Sequence, residues 1–269
     1  MTSSAASQPA ADQERGISRL RLMSYNIQAA VASTRLRHYV TQSWKHFLPH
    51  PQSLGNLDQI AQVTRHYDIV ALQEVDAGSI RSAFVNQIEY LAERAAFPFW
   101  YHQTNRNLGK FAQHSNGLLS HLRPAEIVEH KLPGLIPGRG ALMVRYGGRE
   151  HPLVLLLAHL ALGRRARHAQ LDFIAELANQ YAHVVVMGDL NCQPHSQEMK
   201  HLLRRTHLTS PAFGEHTFPS WKPSRTLDYI LTSPTLRVTD ARVVNHAVSD
   251  HLPVAVDIDL PAEVRLLAR

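Results

Sequence analysis

Residues 184–191 read Val-Val-Val-Met-Gly-Asp-Leu-Asn, and this stretch decides the fold class. A short apolar run that stops at a turn signal is typical of a β-strand. Unbroken apolarity, without strict alternation, indicates a strand that is covered on both faces. Gly188 permits a tight turn, and residues two apart on an extended chain share a face, so Asp189 and Asn191 are predicted to point into one pocket. The alternative is an Asx turn that caps the following helix.

Other apolar runs along the chain also end at polar residues. They are 20–25 before Asn26, 69–72 before Gln73 and Glu74, and 153–158 before His159. Apolar residues at helical spacing predict helices over 57–66, 86–96, 164–181 and 197–203. Two stretches, 31–55 and 206–225, are predicted to be long loops. Strands and helices mixed in this way predict an α/β fold with helices packed on sheet.

No internal repeat and no change of composition marks a linker in the 269 residues. We therefore predict one domain over residues 18–262, after a disordered segment over residues 1–17. No secretory signal is recognisable, and no window holds the roughly 18 apolar residues of a membrane span. The single cysteine, Cys192, excludes an internal disulfide, so a reducing cytoplasm is the expected location. We expect a monomer.

The charge balance is basic, with 28 Lys and Arg against 22 Asp and Glu and a pI of about 9.7. Such a balance favours polyanionic partners, either nucleic acid or an anionic lipid surface. Arginines cluster at 164–167 and 204–205, where they could follow a phosphate backbone. The alternative interpretation is a solvated helix face.

A second motif, residues 248–254, reads Val-Ser-Asp-His-Leu-Pro-Val. An acid beside an imidazole at the mouth of a strand suits metal ligation or proton transfer, although a loop pair without a role has the same appearance. Asp228 lies in the apolar segment 225–231, where a buried carboxylate needs a partner, and His251 is the expected one. Such a pair fixes the imidazole tautomer and stabilises its protonated form.

Glu74 closes a predicted buried strand. A carboxylate there is costly unless it is paired or ligates a cation, so Glu74 is a candidate ligand for a hard metal such as Mg²⁺. Asp76 lies further into the loop, where it is expected to cap a turn. Asn26 and His159 could donate hydrogen bonds to a phosphoryl oxygen, or could be satisfied polar residues of the core.

Taken in order, seven segments resemble the motifs of the endonuclease/exonuclease/phosphatase superfamily, the DNase I-like group. They are Ser24-Tyr25-Asn26, Leu72-Gln73-Glu74-Val75, Ser115-Asn116-Gly117-Leu118-Leu119-Ser120, Ala158-His159-Leu160, Gly188-Asp189-Leu190-Asn191, Leu227-Asp228-Tyr229-Ile230 and Ser249-Asp250-His251. The resemblance implies a four-layered α/β sandwich of two packed mixed β-sheets flanked by helices. It also implies hydrolysis of a phosphodiester with Mg²⁺ or Mn²⁺.

The resemblance assigns roles residue by residue. Glu74 resembles the principal metal ligand, with Asn26 and Asp250 close to the metal. Asp189 resembles the residue that orients the attacking water, and Asn191 the amide that steadies the phosphorane oxygens. The remaining matches are His251, supported by Asp228, as the imidazole on the scissile phosphate, His159 as a second phosphate-contacting histidine, and Asn116 as a substrate-binding position.

One departure bears on the substrate. Apurinic endonucleases carry an acid where this chain has Gln28, so abasic repair is not favoured. The leading interpretation is a nuclease. The alternative is a phospholipid, glycolipid or small-molecule phosphodiesterase or phosphatase, with Trp44, Phe47, Phe99, Trp100 and Trp221 as candidate apolar contacts. A catalytically silent binding module is disfavoured, because every expected acid and imidazole is present.

Overall fold

A computed structural model of the chain describes residues 16–28, 53–78, 82, 85–107, 113–134, 138–211, 213 and 215–266. Within these ranges the chain forms eleven strands and four helices. The strands are β1 (Arg19–Asn26), β2 (Ile69–Val75), β3 (Phe99–Asn107), β4 (Gln113–Ser120), β5 (Glu126–Lys131), β6 (Gly140–Tyr146), β7 (Leu153–His159), β8 (His183–Asp189), β9 (Asp228–Thr232), β10 (Arg237–Val243) and β11 (Val254–Asp259). The helices are α1 (Ser53–Thr64), α2 (Gln87–Arg94), α3 (Arg164–Ala178) and α4 (Gln197–Arg205).

The strands form two mixed sheets. The first has the order β10-β11-β1-β2-β4-β3, and the second the order β5-β6-β7-β8-β9. Each sheet contains one parallel pair, β1 with β2 and β7 with β8, and its other pairs are antiparallel. The predicted sandwich of two packed mixed sheets is confirmed.

Three apolar clusters hold the layers together. The central cluster joins the inner faces of the two sheets, with Leu22 and Val256 from one sheet and Leu155 from the other. A second cluster packs α3 and α4 on the outer face of the five-stranded sheet, and a third packs α1 and α2 on the outer face of the six-stranded sheet. The result is four layers, helix, sheet, sheet and helix. The middle strands β7 and β8 are buried along their whole length, which explains their unbroken apolarity.

The predicted elements differ from the observed ones mainly at their ends. The helix predicted over 164–181 ends at Ala178, and the strand predicted over 184–187 extends to Asp189. Residues 206–225 form no named helix or strand where they are described, as predicted, while residues 53–55 of the other predicted loop begin α1. The rest of that loop, with Trp44 and Phe47, and residues 1–15 of the predicted disordered segment lie outside the described residues. No helix in the described part of the chain is long and apolar enough to cross a bilayer.

The topology brings the polar strand ends to one edge of the sandwich. In each sheet the two strands of the parallel pair end side by side. Asn26 of β1 therefore lies beside Gln73 of β2, and His159 of β7 lies beside Asp189 of β8. The antiparallel strand β9 begins at Asp228, directly opposite Asp189. Side chains predicted from separate segments of sequence therefore meet where the two sheets face each other.

Candidate active site

The turn after β8 places Asp189 at the centre of the site. Gly188 has a φ of 143°, and a Cβ at this position would lie 1.8 Å from the carbonyl oxygen of Ala158 on β7. Only glycine allows the two strands to approach this closely. The Asp189 side chain is buried and accepts a hydrogen bond at Oδ1 from the backbone N–H of Asn191, at 2.9 Å.

Asp189 forms an Asx turn and also contacts a side chain of the pocket. Oδ1 closes an Asx turn, while Oδ2 accepts a hydrogen bond from Asn26 Nδ2 at 3.1 Å. The turn does not cap the next helix, because Ser196 caps α4 by accepting a hydrogen bond from the backbone N–H of Met199. Asn191 has a φ of 52°, and its Nδ2 donates to the carbonyl oxygen of Leu160 at 3.0 Å, which ties together the loops after β7 and β8.

Glu74 reaches the same pocket through an irregularity in β2. The pairing of β2 with β4 shifts register between Leu72 and Val75, and Glu74 has a φ of 58°. A bulge of this kind re-aims a side chain. The Glu74 carboxylate lies 3.5 Å from Asn26 Nδ2 and 3.9 Å from His159 Nε2, and its side chain is 27% exposed. Its oxygens therefore remain accessible from the pocket.

His159, at the end of β7, lies between the two carboxylates. Its Nε2 is 3.4 Å from Asp189 Oδ2 and 3.9 Å from Glu74 Oε1. The imidazole is buried, so its ring is held between the parallel pairs of the two sheets.

His251 and Asp228 form a buried pair. His251 Nδ1 lies 2.8 Å from Asp228 Oδ2, and His251 Nε2 lies 3.9 Å from Asp189 Oδ2. Burial acts to lower the pKa of His251, but the charge and hydrogen bond of Asp228, with smaller contributions from Asp189 and Asp250, raise that pKa above its ordinary value. At neutral pH the imidazole is therefore a cation whose Nε2 faces the pocket.

Burial raises the pKa of a carboxyl group, whereas it lowers the pKa of an imidazole. Burial raises the pKa of Asp189; the His251 charge lowers it and the Asp228 charge raises it again, for a net rise. Burial, opposed by the His251 charge and assisted by the Glu74 charge, raises the pKa of Asp250 to about 6. The Glu74 charge therefore disfavours ionisation of Asp250, and a cation bound by both carboxylates would offset this effect.

Asn116 lies between the sheets. Its side chain is buried, and Nδ2 donates hydrogen bonds to Gln103 Oε1 on β3, at 3.3 Å, and to the carbonyl oxygen of Gly140 on β6, at 3.0 Å. Asn116 Oδ1 is buried without a hydrogen-bond partner in the described part of the chain. Its contacts join the two sheets, so its assignment to substrate binding stays a prediction.

Several positioning residues escaped the sequence reasoning. The buried Tyr25 hydroxyl accepts a hydrogen bond from the backbone N–H of Ser249 at 3.2 Å and so holds the 249–251 loop. Phe218 packs its ring on His251 with centroids 4.8 Å apart, and the Ser220 N–H donates to the carbonyl oxygen of Asp250 at 2.7 Å. Phe218 and Ser220 lie in the predicted loop 206–225, and nothing in the local sequence indicates that this loop contacts residues 250 and 251.

Two donor sets could hold a metal ion. Asp189, Asp228 and His251 lie close enough together, but Asp228 and Nδ1 of His251 already satisfy each other. Glu74, Asn26 and Asp250 supply two carboxylates and an amide oxygen, the ligand types that Mg²⁺ and Mn²⁺ prefer. The Glu74 side chain is 27% exposed, which leaves its oxygens open to an ion, so the chemistry of this second set is compatible with Mg²⁺ or Mn²⁺.

Comparison with known proteins agrees with this geometry. The model of the "Endonuclease/Exonuclease/phosphatase family" matches residues 23–251, whereas no curated protein matches the sequence. An endonuclease/exonuclease/phosphatase from Beutenbergia cavernae has a similar structure, with a TM-score of 0.69, 23% identity, and coverage of 91% of this chain and 72% of that one.

Two further solved structures share the fold. The Bacteroides thetaiotaomicron mannosyl-6-phosphatase has a TM-score of 0.65 and 16% identity, covering 89% of this chain and 99% of that one. The human Nocturnin catalytic domain has a TM-score of 0.64 and 20% identity, and the match covers 95% of this chain and 100% of that one.

Proposed function

The chain belongs to the endonuclease/exonuclease/phosphatase family, and on that premise we propose that it is a divalent-metal-dependent phosphodiester hydrolase that acts on nucleic acid. One observation carries the proposal. Asn26 and His159, from two strand ends, lie 3.1 Å and 3.4 Å from the same oxygen of the buried Asp189, and Glu74, from a third strand, lies 3.5 Å from Asn26 Nδ2 and 3.9 Å from His159 Nε2. Separate strands would not deliver acids, amide and imidazoles to one pocket without a shared chemical role.

Asp189 is proposed to orient and deprotonate the attacking water. Its Oδ1 is fixed by the Asn191 N–H, which leaves Oδ2 as the oxygen that faces the pocket. The raised pKa of Asp189 makes its carboxylate a better proton acceptor than an exposed aspartate. Asn26 and His159, both near Oδ2, would hold that oxygen in line with the phosphorus.

His251 is proposed to stabilise the negative charge that develops on the phosphoryl oxygens. The raised pKa of His251 keeps the imidazole protonated at neutral pH, which suits a cationic hydrogen-bond donor better than a general base. Asp228 accepts a hydrogen bond from Nδ1 at 2.8 Å and so orients the ring, and in the imidazolium the second proton, on Nε2, faces the substrate. Asn191 would contribute an amide contact.

Glu74, Asn26 and Asp250 are proposed to hold one Mg²⁺ or Mn²⁺. When bound, such an ion polarises the phosphoryl group and neutralises charge on its oxygens. The protein would supply two carboxylates and an amide oxygen, and the 27% exposure of the Glu74 side chain is the feature that supports this assignment.

Nucleic acid as the substrate is supported by charge. The formal net charge is +6, and Arg164 and Arg165 are exposed at the start of α3, five and six residues after His159. Arg204 and Arg205 are exposed at the end of α4. Arg164 and Arg165 could contact phosphates that flank the scissile bond, whereas Arg205, whose carbonyl oxygen accepts a hydrogen bond from Asn179 at the opposite end of α3, lies farther along the surface. A cytoplasmic location and a monomeric state complete the proposal, and size-exclusion chromatography with light scattering tests the latter.

The deciding experiment measures hydrolysis of plasmid DNA, RNA, sphingomyelin, phosphatidylinositol and bis-p-nitrophenyl phosphate with Mg²⁺ or Mn²⁺. We expect cleavage of nucleic acid and of the chromogenic diester, with loss of both in excess EDTA and in the Asp189→Ala and His251→Ala variants. Undiminished hydrolysis in EDTA would remove the metal from the proposal. Wild-type rates in His251→Ala would overturn the assignment of the site.

A second candidate is a phospholipid, glycolipid or small-molecule phosphodiesterase or phosphatase. The observation that favours it is Leu162, which is 76% exposed only three residues after His159. A mannosyl-6-phosphatase among the structures of the same fold is compatible with this candidate. Trp100 is also exposed, whereas Phe99 and Trp221 are half-buried. Hydrolysis of the lipid substrates or of p-nitrophenyl phosphate, without cleavage of nucleic acid, would favour it over the nuclease.

A further inference from the structure

A group of three metal-ligating side chains lies on the outer helical layer, apart from the candidate active site. His168 and Asp172 are four residues apart on α3 and therefore lie on one face of that helix. His201 comes from the neighbouring helix α4. One ligand atom from each of the three lies within 4.8 Å of the others.

We propose that His168, Asp172 and His201 form a second metal site, specific for a borderline transition-metal ion of the Zn²⁺ type. Zn²⁺ binds nitrogen at about 2.0 Å and carboxylate oxygen at about 2.0 to 2.2 Å in tetrahedral geometry. His201 Nε2 lies 2.6 Å from Asp172 Oδ1, and His168 Nε2 lies 3.9 Å from Asp172 Oδ2. Small side-chain rotations would bring the three atoms onto one ion, with water in the fourth position.

The two imidazoles support a metal over a simple ion pair. Their ring centroids are 4.4 Å apart with planes at 35°. Nε2 of His168 and Nε2 of His201 lie 3.9 Å and 2.6 Å from oxygens of the same Asp172 carboxylate, so both nitrogens converge on one point where an ion could replace their protons. Their side chains are 47% and 28% exposed for His168 and His201, so an ion can enter from solvent.

The ligand set separates this site from the one proposed for catalysis. Two nitrogens and one carboxylate favour Zn²⁺, Cu²⁺ or Ni²⁺, while Mg²⁺ prefers an all-oxygen environment. Because α3 follows the loop of His159 and α4 follows the loop of Asn191, a bound ion would join the two helices behind these loops. The site does not depend on the proposed phosphodiester chemistry.

Arg205 is the competing partner. It forms an ion pair with Asp172 Oδ1, the oxygen that also contacts His201. Its side chain is 42% exposed, so it can swing into solvent when an ion arrives. We expect Arg205→Gln to bind Zn²⁺ about two- to fivefold more tightly, the effect of one exposed ion pair.

The test is calorimetric titration of the full chain with Zn²⁺ in excess Mg²⁺, supported by the electron paramagnetic resonance spectrum of bound Cu²⁺. The wild type should bind one more Zn²⁺ than the double variant His168→Gln/His201→Gln, or should bind the same ion roughly 100-fold more tightly. Mutation of residues that only contact metal ligands already lowers metal affinity up to about 100-fold, so removal of two ligands should cost at least as much. Cu²⁺ should show coupling to two nitrogens that this double variant loses. His66→Gln, which changes an exposed histidine on another part of the surface, is the matched control and should behave as the wild type.

Equal Zn²⁺ stoichiometry and affinity in the wild type and in the folded double variant would overturn the proposal. Loss of Zn²⁺ binding in Arg205→Gln would also overturn it, because that change leaves all three ligands in place. Circular dichroism of each variant establishes that it is folded. Phosphodiester hydrolysis, measured in parallel, keeps this outcome distinct from any failure of the catalytic assignment.

Discussion

Replacing Asp228 with asparagine tests how the site maintains a cationic imidazole. The side chain is completely buried, and its Oδ2 lies 2.8 Å from His251 Nδ1. Asparagine has the same shape and can keep one hydrogen bond, but it carries no charge. The change therefore removes the electrostatic support of the imidazolium without opening a cavity.

The magnitude follows from the burial of both partners. Burial is the largest influence on the pKa of His251 and acts to lower it, so removing the Asp228 charge should lower the pKa of His251 and with it the protonated fraction of the imidazole. Loss of a cation aimed at developing negative charge, with disturbance of the tautomer, should lower kcat/KM about 10²- to 10⁴-fold. Because the change removes one charge of a buried pair, it should also cost about 3 kcal/mol of the free energy of unfolding.

Three measurements check this prediction. They are kcat/KM for bis-p-nitrophenyl phosphate, urea unfolding in EDTA, and the NMR signals of the His251 imidazole as a function of pH. Asp240→Asn changes an exposed carboxylate on β10 and is the matched control. A wild-type rate together with an unchanged pKa of His251 would refute the reasoning, because Asp228 would then not be the source of the raised pKa.

The other predictions concern stability. Gly188→Ala would place a Cβ 1.8 Å from the Ala158 carbonyl oxygen at a φ of 143°, so we expect a loss of more than about 4 kcal/mol or failure to fold; soluble yield and thermal unfolding measure this. Arg167→Met breaks the buried 2.8 Å pair with Glu198, and urea unfolding should show a loss of about 3 kcal/mol; an unchanged midpoint would contradict it. Asp189→Asn should be inactive yet more stable than the wild type at about pH 8 in EDTA, with a smaller difference near about pH 5, because a carboxylate whose folded pKa is raised destabilises the fold as pH rises. A variant less stable than the wild type at both pH values would rule this out.

The sequence was most informative where burial and polarity change abruptly. Strands β7 and β8 are apolar along their length and end at His159 and Asp189, so both their type and their polar ends were readable from the chain. The partnership of Asp228 with His251 was also accessible, because a carboxylate at the start of an apolar strand requires a partner. Their 2.8 Å separation is what that requirement predicts.

Edge strands gave weaker signals. β5 and β10 are half-exposed and read Glu-Ile-Val-Glu-His-Lys and Arg-Val-Thr-Asp-Ala-Arg-Val, so neither contains a continuous apolar run. Sequence periodicity alone did not identify them, because these two segments form strands by pairing with β6 and β11 and not through a pattern in their own residues.

Other features depend on contacts between distant segments. Glu74 reaches the pocket because its φ is positive and the pairing of β2 with β4 shifts register at this point. No local residue pattern predicts this conformation. Asn116 is turned toward Gln103 and Gly140, which only the packing of the two sheets brings together. The cluster on α3 and α4 likewise requires the two helices to lie side by side, which the spacing within either helix does not specify.

The site is divided between the two sheets, and this division explains why the fold suits it. The proposed metal ligands Asn26 and Glu74 belong to strands of the six-stranded sheet, while Asp189 and Asp228 belong to the five-stranded sheet. Two hydrogen bonds cross between the halves, Asn26 to Asp189 at 3.1 Å and His251 to Asp228 at 2.8 Å.

The apolar cluster between the sheets therefore sets the distance between the proposed metal ligands, Asn26 and Glu74, and the proposed proton acceptor, Asp189. Interiors packed to crystal-like density resist compression, so this spacing is rigid. A change there should therefore affect catalysis as well as stability. Leu155→Ala, in the cluster between the sheets, should cost about 2 to 5 kcal/mol of the free energy of unfolding. Leu171→Ala, on α3, should cost a similar amount. Because Leu171 packs on the outer face of the five-stranded sheet, its replacement should leave the spacing of the two sheets unchanged. A lower kcat/KM for the chromogenic diester in the folded Leu155→Ala protein, but not in Leu171→Ala, is the expected result; equal rates would mean that the sheet spacing does not control the chemistry.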